Sequence, residues 1–165
     1  MILPDNCKEI FLEGITDAYV YPAEGSSIPV PFSMAQILQI NNCKFADTLL
    51  HIGTADGAEA FAETLTAKNS ISKSGFGYLF TLSISATITD GKENVRETQR
   101  KIAIEKQDCY IVLKREDGLL FLCYTLPNTF SFNAITNSTQ TSEQISLTIS
   151  CNSLSDFIPI TIREN

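Results

Sequence analysis

The sequence predicts a mainly β protein, an antiparallel β-sandwich or partly closed barrel with one flanking α-helix at about 92–106. Three observations carry this. Residues 78–88, YLFTLSISATI, place Tyr78, Phe80, Leu82, Ile84, Ala86 and Ile88 at every second position, with Thr81, Ser83, Ser85 and Thr87 filling the gaps. That two-residue period marks a strand with one buried face. Residues 145–151, ISLTISC, repeat the pattern, and Asp117-Gly118 sits between two apolar runs as a tight hairpin turn would.

At 165 residues with 44% hydrophobic and 19% charged side chains, the chain reads as one domain, 1–165, with a real core. The elements follow in order. Segment 14–32, GITDAYVYPAEGSSIPVPF, combines Pro22, Pro29 and Pro31 with Gly14 and Gly25, so it is expected to be a long loop or arm rather than a regular central strand. It still holds Tyr19, Tyr21, Ile28, Val30 and Phe32, apolar groups that need something to pack on. Two outcomes are open: a loop folded over its own core, or an arm that pairs with a neighbouring subunit. Residues 33–40, SMAQILQI, have mixed periodicity and fit a short helix or a strand equally.

Strand signatures continue at 45–52 and 60–68, with turn chemistry at Gly53, at Asp56-Gly57 and at 73–77. From Lys92 to Lys106 good helix formers dominate, and Glu97 with Lys101 is an i,i+4 ion pair in the favourable order. The apolar stripe, Val95 and Ile102, is thin, which predicts a surface helix that unravels towards a strand near 102–104. If Asp117-Gly118 is the whole loop of the next hairpin, Leu113 faces Leu122, Ile111 faces Tyr124 and Val112 faces Cys123. Both faces of that hairpin are then apolar enough to be covered. Further strands are expected at 130–134, 145–151 and 157–163, the last at a sheet edge because Pro159 lacks a donor. The total is seven or eight.

Function classes narrow mainly by exclusion. Twelve basic against nineteen acidic residues leave a charge of −7, with no surplus cation to neutralise phosphates. No run approaches the length of apolar residues that a membrane helix needs, and the N-terminus lacks the basic-then-apolar pattern of a secretory leader, so production in a cytoplasm is expected. Five scattered cysteines have no metal-ligand spacing, and Cys109, Cys123 and Cys151 lie in strand-like runs as small apolar filler. His51, the only histidine, ends a strand candidate before Gly53 and is expected to be structural. No catalytic, cofactor-binding or metal-binding constellation is predicted. The tyrosines mostly occupy apolar strand positions, so no exposed aromatic platform is foreseen.

The succession of features is more informative than any one of them. FAETLTAKNSISKSGFGYLFTLSISATI (61–88), a charged helix, DCYIVLKREDGLLFLCYTL (108–126) and TSEQISLTISCNSLSDFIPI (141–160) together resemble structural proteins of tailed bacteriophages and prophages of gut bacteria. The resemblance is to the tail-tube, tail-completion and connector-ring class and covers about 61–160. It implies a non-enzymatic virion subunit without a cofactor, made in a bacterial cytoplasm. Six or twelve copies would form a ring around the DNA channel, in contact with other tail or connector proteins and with no membrane. DNA would pass without specific binding, since like charges repel across the short screened distance. Within that picture Tyr19, Tyr21, Ile28, Val30 and Phe32 are the expected subunit contacts. The alternative is a β-sandwich binding module of the adhesin or carbohydrate-binding kind.

Overall fold

Alternation in the sequence becomes a ten-stranded sheet. The computed structural model describes residues 8–26, 28, 44–55, 57–74, 77–106, 108–138 and 143–161. They form β1 (Lys8–Leu12), β2 (Ile15–Pro22), β3 (Leu50–Gly53), β4 (Ala60–Ser74) and β5 (Gly77–Asp90), then the helix α1 (Lys92–Glu105). After it come β6 (Cys109–Arg115), β7 (Leu120–Cys123), β8 (Ser131–Ser138), β9 (Glu143–Ser153) and β10 (Ile158–Ile160). The order across the sheet is β10-β7-β6-β2-β3-β4-β5-β9-β8, with β1 beside the far half of β4. The sheet is mixed, because β3 and β4 run parallel through two register pairs, and it does not close into a barrel.

Its two halves nevertheless share one core. From β2 and β6 come Ala18, Val20, Ile111 and Leu113; from β5 and β9 come Leu82, Ile84, Ile88, Ile145, Leu147 and Ile149, all in one buried cluster. The inward set of β5 is the alternating set read from sequence, except that Tyr78 at its outer end is 49% exposed. In β4 the inward parity changes from Ala60 and Ala62 to Leu65 and Ala67, because the pairing with β5 shifts register at Phe61–Thr64. A bulge lets one strand present two different residue sets to the same core. Each fully buried Ile or Leu contributes about 1.5–3 kcal/mol. Cys109, Cys123 and Cys151 are buried and unpaired by disulfides, as apolar filler should be.

Residues 15–22 correct the expectation that 14–32 holds no central strand. β2 lies between β3 and β6 in the middle of the sheet. Gly14 and Pro22 bound the strand instead of interrupting it. Pro22 sits at its last pair, opposite Cys109, and the ladder is taken up by the Ala23 amide donating to Asp108 O at 3.0 Å. With β1, this strand raises the count from the expected seven or eight to ten. Residues 33–40, Val30 and Phe32 lie outside the described residues.

The hairpin register is also corrected, by one residue. Leu113 faces Phe121, Ile111 faces Cys123 and Val112 faces Leu122. The loop has three residues, Glu116-Asp117-Gly118, closed by Gly118 N donating to Arg115 O and Arg115 N to Leu119 O, each at 2.9 Å. Gly118 holds φ at 89°, the left-handed residue of a three-residue hairpin loop. Coverage of both faces, in contrast, is as expected: Val112 and Leu122 are fully buried in a second cluster on the outer face.

Helix α1 does not unravel near 102–104. It runs to Glu105 and stops at left-handed Lys106, whose amide donates to Ile102 O. Val95 is buried and Ile102 packs on the core, while Ile104 is 73% exposed. The Thr98 hydroxyl and the Asn94 amide tie the helix to Leu49 O and Glu59 O.

Candidate functional site

The outward residues of β4, β5, β9 and β8 fall into register as rows made of hydroxyl and amide groups except at Lys68 and the exposed Ile135. Thr64, Thr87, Ser146 and Ile135 form one row; Thr66, Ser85, Thr148 and Asn133 the next. Lys68, Ser83, Ser150 and Ser131 form a third, followed by Ser70, Thr81 and Asn152. Rows repeat at ~6.8 Å along the strands and neighbours at ~4.8 Å across them. Some side chains bond across strands: Thr64 Oγ1 donates to Thr87 Oγ1 at 3.0 Å, and Thr81 Oγ1 to Asn152 Oδ1 at 3.3 Å. Lys68 is the one charged side chain in these rows. Such a face hydrogen-bonds to water or to another polar surface, and its single cation gives phosphates little to hold.

The sheet's other half is quite different on its outer side. Tyr19 and Tyr21 of β2, Tyr110 of β6 and Tyr124 after β7 gather around Val112 and Leu122, with Ile28 and Phe45 packed against them. Tyr21 stacks on Phe45 with centroids 4.4 Å apart, and Tyr110 meets Tyr124 at 6.0 Å. Burial raises all four phenols above their usual range, with Asp17 adding to the effect at Tyr19. Of the five expected subunit contacts, Tyr19, Tyr21 and Ile28 are thus brought together, on a core cluster of their own chain.

His51 lies inside β3 opposite Tyr19, two residues short of the strand's end, and its ring has two partners. Nε2 lies 2.8 Å from Asp17 Oδ1, and the ring stacks on Tyr19 with centroids 4.4 Å apart and 10° between planes. Thr16 Oγ1 donates to the other carboxylate oxygen of Asp17 at 2.7 Å. The Thr16 hydroxyl therefore bonds the carboxylate and not the imidazole, so this trio lacks the nucleophile-to-base contact that acyl transfer requires. It joins β2 to β3. Asn69 plays a similar part deeper in the molecule, donating from Nδ2 to Asp156 Oδ1 while its own Oδ1 is buried without a partner.

The buried thiols are held protonated at neutral pH. Burial pushes Cys109 up to about 12 and Cys151 up to about 11, and moves Cys123 in the same direction. A thiol needs a depressed value to act as a thiolate at neutral pH. Among the described residues no group of three or more His, Cys, Asp or Glu could hold a metal ion, and no helix is long and apolar enough to cross a membrane.

Neither surface was read as a unit from sequence. The rows were half legible, since each strand's alternation was visible and only the pairing order was missing. The tyrosine cluster had no sequence signal, because it draws on segments almost a hundred residues apart. No family model, curated protein or solved structure matches the chain.

Proposed function

We propose that this chain is a non-enzymatic structural subunit of a phage virion, assembling into a ring or tube segment of the tail or head–tail connector around the DNA channel. The observation that carries the reading is the four-strand hydroxyl face, whose rows hold Lys68 as their one charge, with Glu63 beside them on Gln144. A channel wall must stay wet without gripping the polyanion that slides past it, and neutral hydroxyls in a chain of charge −7 meet both demands. The resemblance over 61–160 supplies the particle, and the mainly β fold is compatible with it. Sedimentation velocity and negative-stain imaging of the purified chain, alone and with neighbouring tail or connector proteins, test the proposal. Closed rings of six or twelve copies are expected, and a solitary molecule under all these conditions would refute it.

A second reading, a β-sandwich binding module, has in its favour the half-buried Tyr19, Tyr21 and Tyr110 of this cluster, aromatic groups with an apolar body and a polar tip. Quenching of tyrosine fluorescence by an oligosaccharide, without assembly, would favour that reading over the first.

A further inference from the structure

The two ends of the sheet are built differently. β10 is three residues long and carries Pro159 at its centre, so it offers a neighbour almost no ladder. β8, with sequence SFNAITNS, has no charge, no proline and no glycine. It pairs with β9 through eight consecutive positions without a register shift, and among the described residues no strand lies on its other side. An edge of that length without charge, proline or bulge is a template for one more strand.

Next to this edge is a concentration of positive charge. Helix α1 and β8 border a groove of about 480 Å³ whose floor includes Ala103, Ala134 and Ile145 and whose rim carries Arg96, Arg100 and Thr136. Arg96 Nη2 donates to Thr136 Oγ1 at 3.1 Å, which directs that guanidinium to the strand. Arg96 and Arg100 are one helical turn apart, a like-charge i,i+4 pair that disfavours an isolated helix. The whole chain holds only four arginines among its nineteen acids, and two of them flank this groove.

We propose that β8 and the α1–β8 groove form a docking site for an extended acidic segment of another polypeptide. The segment adds to β8 as a strand. Its carboxylates on the groove side are held by Arg96 and Arg100. Alternate side chains of a strand repeat every ~6.8 Å, close to the ~6 Å between residues one helical turn apart, so acids at every second position meet both guanidiniums. Arginine binds carboxylate through two parallel hydrogen bonds, which fixes the register of the added strand. A second copy pairing β8 to β8 fits less well, because the two-fold would bring another arginine pair to the same side of the seam. The site does not depend on the chain forming a ring.

The test uses the full chain and a dye-labelled peptide long enough to span β8, with glutamate and valine alternating, read by fluorescence anisotropy. Binding is expected, weakened about tenfold or more by Arg100→Glu and similarly by one proline at the peptide's centre, and lost when lysine replaces glutamate. Thermal melts establish that the variant is folded, with Arg100→Gln as the milder substitution should Arg100→Glu unfold. Absence of binding up to about 1 mM peptide would overturn the proposal. So would equal affinity for the lysine peptide or for the arginine variants. Equal affinity for the proline-interrupted peptide would reduce the site to a plain anion contact and overturn strand addition.

Discussion

Raising the pH from 8 to 10 should cost this protein about 3 kcal/mol of stability through two buried thiols. Cys109 is pushed from an ordinary value of 9.0 up to about 12, and Cys151 from 9.0 to about 11, in both cases chiefly by burial. The folded chain therefore holds its thiol protons more tightly than the unfolded chain. Well below pH 9 both states are protonated and the thiols make no difference. Above it the unfolded chain sheds protons that the folded chain keeps, so unfolding becomes easier with each increment of pH. One unit above the unfolded value is worth about 1.4 kcal/mol per thiol, and Cys123 acts in the same direction. Urea unfolding at pH 8 and pH 10 in the presence of reductant measures the difference. Burial raises the tyrosine phenols too, which adds to the same trend as the unfolded chain begins to lose their protons, so the decisive comparison is the Cys109→Ala/Cys151→Ala double variant. It should lose stability at pH 8 through its cavities, yet lose about 3 kcal/mol less than the parent between the two pH values. Equal pH slopes would refute the assignment of these thiols to a dry core.

Two glycines with positive φ should respond very differently to alanine. Gly91 precedes α1 at φ 82°, and a Cβ there would lie 2.0 Å from Glu59 O, so Gly91→Ala should destabilise by well over the ~1–2 kcal/mol of left-handed strain alone. Gly118, at φ 89° with nothing within 4 Å, should show only that strain, and thermal melts of the two variants compare them directly. Ile149 is fully buried in β9 between Ile84 and Phe132, so Ile149→Ala should cost about 2–5 kcal/mol in urea unfolding.

Much of the architecture was legible because one face of each long strand is buried and the other is not. In β5 and β9 that contrast writes a two-residue period directly into the sequence. It fails where local chemistry competes. Gly118 adds a third residue to a loop that its dipeptide signature suggested was two residues long, and every partner across β6 and β7 moves by one. In β2, Gly14 and Pro22 delimit a strand, but composition alone cannot tell a boundary from a break. Helix α1 keeps its form to Glu105 although Ile104 is exposed, since its propensity and the ties at Asn94 and Thr98 outweigh a thin apolar stripe. Of the functional surfaces, the hydroxyl residues were visible strand by strand. The pairing that assembles them, the tyrosines drawn from β2, β6 and the end of β7, and the arginines brought beside β8 all depend on contacts distant in sequence.

Among the described residues, the short parallel contact of Ile52 and Gly53 with Ala60 and Phe61 is the only ladder across which the halves of the sheet are stitched together. Each half is internally zipped along many residues, but their junction is two pairs wide. Cohesion between them therefore comes from oil between plates more than from any seam. Anything that loosens that interior, whether a cavity or a charged thiolate, weakens the hold of one plate on the other before it frays either one.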